Sequence, residues 1–406
     1  MVLHIRLPML RVGVVLDNEF DKDQRVLKEV ALLKQSGYEV FVICFDFGKV
    51  YDIHEGISVT RISIPKKKKD ALVFLSARTD FYEKMWTKEL VPWLQKHQIQ
   101  VLHTHDLYMS KCCKNAIDQS GLAIRFILDL HENYPAAIAT YQWAVKSWRK
   151  WVAAPQIWKV KESDYLTYPD KIIVLSTYFK NQLLQKFPFL KSENIQTHPN
   201  LPNIEDFERY EQEGYTTDFT SDVPVLLYFG VVGYRRGIIQ KIEALEKLLK
   251  EGLQFHLLII GPVDKADKQD FEKALQLPFI SKNVTYKPWS DVCYLPDYLR
   301  KTAVGLAPFL VNAQHDHGVA NKLYQYMYGA VPILASACKA QQDLITDENC
   351  GLIYYDYEGF LLKVRELIEK PELRIQLGLN GKKALERLYH EKVDRQFLSF
   401  YKDFEK

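Results

Sequence analysis

No CxxC pair occurs among the six cysteines (Cys44, Cys112, Cys113, Cys293, Cys338 and Cys350), and none has zinc-ligand spacing. That excludes a zinc ribbon and fits free thiols in a reducing cytoplasm. No apolar run is long enough to span a bilayer, and Arg11 closes an N-terminal stretch too short and too broken for a signal peptide. An excess of one charge is missing too: a net +3 gives no footing for nucleic-acid binding. Low-complexity tracts and fixed-period repeats are absent, which argues against a disordered array or a solenoid. Neither GxxxxGK[ST] nor GxGxxG appears, so a P-loop and a dinucleotide fingerprint are both unsupported.

What is present is an ordinary globular composition, 47% hydrophobic and 26% charged, over 406 residues. A chain of that length exceeds one ordinary core, so two domains are expected. One phrase recurs along it: an apolar β-rich run, a polar or glycine residue, then a helical pattern. RVGVVLDN, YEVFVICF, QVLHTHD, RFILDLHEN and KIIVLST carry it in the first half. VPVLLYFG, FHLLIIGP, AVGLAPF and VPILAS carry it in the second. Continuous apolar strands alternating with helices predict parallel sheets covered on both faces, an α/β chain of two doubly wound, Rossmann-like domains. Ligands of such sheets bind outside the carboxyl ends of the strands, and polar residues occupy those ends here. A site in a cleft between two domains follows as an expectation. The acidic stretch 200–224 reads as the boundary, and the end of the chain reads as a terminal helix.

Three constellations stand at strand ends. In HDHGVANKLYQYM, Gly318 precedes a short helix whose first turn holds Asn321 and Lys322, with Gln325 one turn on. Free N–H groups and a cation there suit a phosphate, while caps and surface would suit a plain αβ unit. His315, Asp316 and His317 are metal-ligand types, yet adjacent loop residues chelate poorly without a distant partner. In YFGVVGYRRGI, Gly230 and Gly233 lead to Arg235 and Arg236, a turn that suits a polyanion; a solvated arginine pair is the plainer reading.

HTHDLY and DLHENYP form the third. His105, Asp106, His131 and Glu132 close neighbouring strands and could meet sugar hydroxyls, serve as acid or base, or hold zinc. His103 lies deeper and reads as structural. Asp21 and Asp23 form a DxD-like pair whose place before a helix favours capping. Residues 141–161 hold four of the seven tryptophans and five basic residues without an acid. Such a segment suits a membrane surface, with PKKKKD as a second basic element; tryptophans packed in a core are the alternative.

In order, these stretches resemble the glycosyltransferases of the GT-B fold, in the large retaining family 4. FDKDQRVLKEVALLKQSGYEV, VLHTHD, DLHENYP, IIVLSTYF, YFGVVGYRRGI, LLIIGP, NKLYQYMYGAVPILAS and LIEKPELRIQLGLNGKKALERLY carry the resemblance along nearly the whole chain. It implies an acceptor-binding domain over 1–200, a nucleotide-sugar-binding domain over 201–385, and a terminal helix over 386–406 that packs back toward the first domain. His105, Arg236 and Lys322 take catalytic roles by this resemblance. Gly230, Arg236, His317, Gly318, Asn321, Lys322 and Gln325 would hold the donor, and Asn18, Asp106, His131 and Glu132 the acceptor. The family's EX7E acids are replaced by His317 and Gln325, and Val231 stands where the family has arginine.

The implied reaction breaks the anomeric C–O bond of a UDP- or GDP-linked sugar with no metal required. The acceptor is a glycan or lipid-linked glycan of a cell-surface polysaccharide. The enzyme would be cytoplasmic, peripheral on the inner membrane face through 141–161, with no nucleic-acid partner. A GT-B-type sugar-nucleotide epimerase and a non-catalytic nucleotide- or glycan-binding relative are the alternatives.

Overall fold

The computed structural model describes residues 10–48, 54–140, 154–391 and 393–405. Among the described residues, thirteen parallel strands form two separate sheets. The first holds β1 (Arg11–Val15), β2 (Glu39–Asp46), β3 (Ser58–Ser63), β4 (Val101–His105), β5 (Arg125–Leu130), β6 (Lys171–Val174) and β7 (Ile195–Thr197). Their spatial order is β3-β2-β1-β4-β5-β6-β7, so the winding reverses between β1 and β4. The second holds β8 (Val225–Phe229), β9 (His256–Ile260), β10 (Val284–Lys287), β11 (Val304–Ala307), β12 (Ile333–Ser336) and β13 (Gly351–Tyr354). Its order, β10-β9-β8-β11-β12-β13, reverses between β8 and β11.

The chain divides into two units, Met1–Pro199 with Val393–Lys406, and Asn200–Lys392. Residues up to 391 stay in the helix Pro371–Glu391 of the second unit, and the helix Val393–Lys402 returns to the first. There Phe397, Phe400 and Tyr401 join the core of Val12, Val14, Ile127 and Ile173. The return is fastened at its edge by Lys171 Nζ on the Phe400 carbonyl at 3.0 Å and on Asp403 at 2.6 Å.

In the first unit, the helix Gln24–Gln35 starts where Asp23 accepts a hydrogen bond from the Val26 amide at 3.1 Å, so Asp23 is a cap as its position implied. Its partner in the DxD-like pair, Asp21, instead faces Arg61 at 2.9 Å and His54 at 2.8 Å. The buried face of this helix is Arg25, Val26, Glu29, Val30 and Leu33, and two of those five are charged.

Candidate functional site

In the second unit, the helix Asn321–Tyr328 lies over the reversal of the sheet because Tyr326 fits a notch there. A side chain at Gly305 of β11 would meet the Tyr326 ring at 2.5 Å, so glycine makes the space. The Tyr326 hydroxyl faces the carbonyls of Leu227 and Leu306, each at 3.2 Å, and accepts from the Phe229 amide at 3.3 Å. One phenol thus ties the helix to β8 and β11 together. Ala320 precedes the helix and offers no side-chain cap, which leaves first-turn N–H groups without one.

Lys322 follows from that placement. It is 8% exposed, and its Nζ has no hydrogen-bond acceptor among the described residues. The ammonium stands 3.6 Å from the centroid of the Tyr228 ring and 5.2 Å from that of Phe309. Burial, and then the nearby Arg236, push its pKa well below the usual lysine value. Gly230 follows β8 with φ +125, and a side chain there would sit 3.5 Å from Lys322 Nζ. The Arg236 guanidinium lies over the Phe309 ring at 5.4 Å. Its turn is fixed by Gly237, at φ +81, where a Cβ would fall 1.6 Å from the Pro308 carbonyl oxygen. Two basic side chains, a glycine and a helix N-terminus therefore meet where the sheet order reverses, the usual ligand position of such sheets.

In the first unit, a charged network sits under the ends of β4 and β5. Arg25 grips Asp129 Oδ2 through Nε at 3.1 Å and Nη2 at 2.7 Å, and its Nη1 donates to the His198 carbonyl at 2.8 Å. Arg25 Nε is also 3.1 Å from Glu29. His105 Nδ1 pairs with His131 Nε2 at 2.9 Å, and His103 Nδ1 pairs with the Tyr401 hydroxyl at 2.6 Å. Burial lowers the pKa of His103 to about 4 and holds that of His105 well below its usual value. Burial alone would discharge His131 as well, but the Asp129 carboxylate at 3.7 Å outweighs it and raises His131 to about 9. His131 is thus the cationic histidine of the network, and its side chain is 20% exposed against 0% for His105.

Two family models match this chain: "Glycosyltransferase Family 4" over residues 24–205 and "Glycosyl transferases group 1" over 216–384. The chain belongs to the family 4 type of glycosyltransferase. A capsular polysaccharide biosynthesis glycosyltransferase of Staphylococcus aureus, CapM, is 23% identical over 241 residues. That alignment spans 57% of this chain and 60% of the relative. Sucrose-phosphate synthase from Thermosynechococcus elongatus superposes with a TM-score of 0.75 at 16% identity, covering 97% of this chain and 98% of its own. A glycosyltransferase from Rickettsia africae gives 0.69 at 14% identity, covering 98% and 100%. These likenesses show the fold, which is GT-B.

Within this transferase the anticipated donor residues are distributed unevenly. Gly230, Arg236 and Lys322 come together, and Asn321 and Gln325 share the Asn321–Tyr328 helix with Lys322. Gly318 has extended backbone (φ −141, ψ 155) that any residue adopts, so its freedom is not used. His317 is buried with its Nδ1 on the Ala313 carbonyl, and His315 Nδ1 likewise donates to the Leu310 carbonyl at 2.7 Å. Asp316 accepts from the Lys339 amide at 3.0 Å. The three ligand types thus serve their own loop and the next helix, and no metal group forms there among the described residues.

On the other unit, Asn18 is exposed, and Asp106, His131 and Glu132 are partly exposed. Asp106 holds a positive φ of 71, a costly conformation for a residue with a side chain. The zinc alternative is redrawn: the four side chains whose ligand atoms lie within 4.8 Å of one another are Glu29, His103, His105 and Asp129, without Asp106, His131 or Glu132.

Sequence reasoning missed Arg25, Glu29, Asp129 and His198, and it read Asp17 only as a polar strand end. This buried carboxylate takes the Tyr82 hydroxyl and lies 3.1 Å from Lys69 of the helix Lys66–Leu75. A cavity of about 360 Å³ beside that helix is lined by Lys69, Asp70, Val73 and Phe74. Of the tryptophan-rich segment, residues 141–153 lie outside the described residues. Trp158 is 1% exposed and packs edge-on to Tyr134 and Tyr165, so that tryptophan belongs to the core. No helix among the described residues is long and apolar enough to cross a membrane.

Proposed function

We propose that this glycosyltransferase moves a sugar, with retention, from a UDP- or GDP-linked donor to a glycan or lipid-linked acceptor in cell-surface polysaccharide synthesis. The observation that carries the donor half is Lys322, a buried amine without an acceptor beside Gly230 and Arg236. A buried amine without a partner is unfavourable by itself, and an anion would satisfy it. A nucleoside diphosphate fits, since its charge is spread over oxygens that the amine, the guanidinium and the helix N–H groups can share.

As the anomeric C–O bond breaks, negative charge grows on the diphosphate and positive charge on the ring. Cations fixed at the diphosphate stabilise that transition state more than the bound donor. Neither a metal nor a carboxylate pair is then needed at the leaving group. Retention has the acceptor hydroxyl attack from the leaving-group side and pass its proton to the departing phosphate. Gln325, on the Lys322 helix, is assigned to the nucleotide ribose.

His131 replaces His105 as the histidine offered to substrate, because His105 is covered and serves as its hydrogen-bond partner. Asn18, Asp106 and Glu132 complete the acceptor half. The capsular relative supports a polysaccharide acceptor. We place the enzyme in the cytoplasm, on the inner membrane face, with exposed Lys66, Lys67 and Lys68 as its basic contact.

Calorimetric titration of wild type and Arg236→Gln with UDP, GDP and their sugar conjugates tests the donor site. One base should bind selectively, and the variant should lose about tenfold or more, as for a charge-assisted contact of 1.5–3 kcal/mol. Equal binding of all bases by both proteins would reject it.

A further inference from the structure

We propose that Glu29, His103, His105 and Asp129 form a closed structural site for one divalent transition-metal ion of the zinc class. Rigid elements bring these residues together. His103 and His105 alternate on β4 and so face the same side, Asp129 is the register partner of His105 on β5, and Glu29 comes from the buried face of the capped helix. All four are buried.

The orientation of the rings and carboxylates is the second observation. Each histidine spends Nδ1 on an outer partner, Tyr401 for His103 and His131 for His105, which leaves both Nε2 atoms without a hydrogen bond among the described residues. To ligate through Nε2, His105 would donate Nδ1–H to His131, which gives up its own Nε2 proton on loading. Arg25 holds Asp129 by Oδ2, and Oδ1 has no hydrogen-bond partner. Glu29 Oε1 is ion-paired with Arg25 Nε at 3.1 Å and stands 3.4 Å from His198 Nε2, and neither Glu29 oxygen takes a hydrogen bond among the described residues. Buried polar atoms without a hydrogen bond, gathered on four side chains whose ligand atoms lie within 4.8 Å of one another, are rare in native interiors. Outer-partner hydrogen bonds on ligating histidines and carboxylates are the common second layer of a metal site.

Two imidazoles and two carboxylates are a donor set for zinc and its neighbours rather than for magnesium or calcium. Tetrahedral zinc at about 2.0–2.2 Å from its ligands would draw the ligand atoms closer than the 4.8 Å limit observed here. Rotation of the two carboxylates can supply that contraction. With four protein ligands and no exposed face, the ion would not meet substrate. It would join the first helix to β4 and β5 and, through Tyr401, to the terminal helix.

Metal-stripped full-length protein titrated with Co²⁺ reports on the site directly. The expected result is one Co²⁺ per chain with the visible absorption of tetrahedral cobalt, and a rise in Tm on adding Zn²⁺. Glu29→Gln, nearly isosteric and checked for folding by far-UV circular dichroism, should bind at least 100-fold more weakly. Should that variant fail to fold, histidine ring NMR of wild type decides: Co²⁺ must perturb His103 and His105. Absence of the absorption in folded wild type, undiminished binding by folded Glu29→Gln, or perturbation of His54 or His315 alone would overturn the assignment.

Discussion

Replacing Lys322 by methionine should raise stability and remove nucleotide binding in the same protein. Methionine keeps the apolar stem that packs against Tyr228 and Phe309 and deletes the ammonium. The amine is buried without an acceptor, a condition that costs about 1–3 kcal/mol. Below its lowered pKa, where the amine is charged, its position 3.6 Å from the Tyr228 ring returns part of that, about 0.5–2 kcal/mol for a cation over an aromatic face. The net gain on substitution is therefore about 1 kcal/mol, or ~2–4 °C in Tm for a unit of this size. In the same sample the Tm rise given to wild type by the preferred nucleoside diphosphate should vanish.

Protonation supplies an independent readout. Lys322 has a pKa lowered by burial and by Arg236, and a bound diphosphate would raise it again. Above the lowered value, where the free amine is neutral, binding should take up protons, and affinity should weaken as pH rises through it. Calorimetry in buffers of different ionisation enthalpy measures the uptake. A Lys322→Met protein that is less stable than wild type, or that still responds to nucleotide with wild-type affinity, would refute the reasoning.

Gly237→Ala places a Cβ at φ +81 against the Pro308 carbonyl, and should cost about 2–4 kcal/mol from backbone strain and overpacking, read as a lowered urea midpoint. Arg25→Met strips Asp129 of its buried counter-charge and should destabilise the first unit by about 3–5 kcal/mol in the same assay. Asp297 is raised by its burial, but hydrogen bonds from Lys301 and Thr217 outweigh this and hold it at about 2. The stability it contributes is complete above the ordinary aspartate value, about 3.9, and is lost as pH falls through 2. Asp297→Asn should flatten that part of the pH–stability curve. Adding Mg²⁺ should leave nucleotide affinity unchanged within about twofold, because in the proposed site a helix terminus and two basic side chains would already face the diphosphate.

Nine strands were legible in the sequence because they are buried runs such as VLLYF and HLLII. The four that were not, β3, β7, β10 and β13, are the four edges of the two sheets. An edge strand is covered on fewer sides, so SVTRIS and VTYK mix polar and apolar residues and carry no continuous run. At the candidate site, glycine, arginine and lysine at strand and helix ends pointed to residues that the fold brings together, Gly230, Arg236 and Lys322. His105 was read as facing substrate because it closes its strand, yet β4 is interior and its last residue is still covered. Arg25 and Glu29 went unread because charges on a helix usually mark its wet face. Their i,i+4 spacing beside Val26 and Val30 was the available signal.

The central claim is sugar transfer from a nucleotide donor, and NMR-monitored turnover of a panel of UDP- and GDP-sugars with a surface-polysaccharide acceptor tests it most directly. The account predicts release of nucleoside diphosphate from one donor and a glycosidic product with the donor's anomeric configuration. Appearance of an epimerised sugar, inversion at the anomeric carbon, or no consumption of any donor by folded enzyme would contradict it.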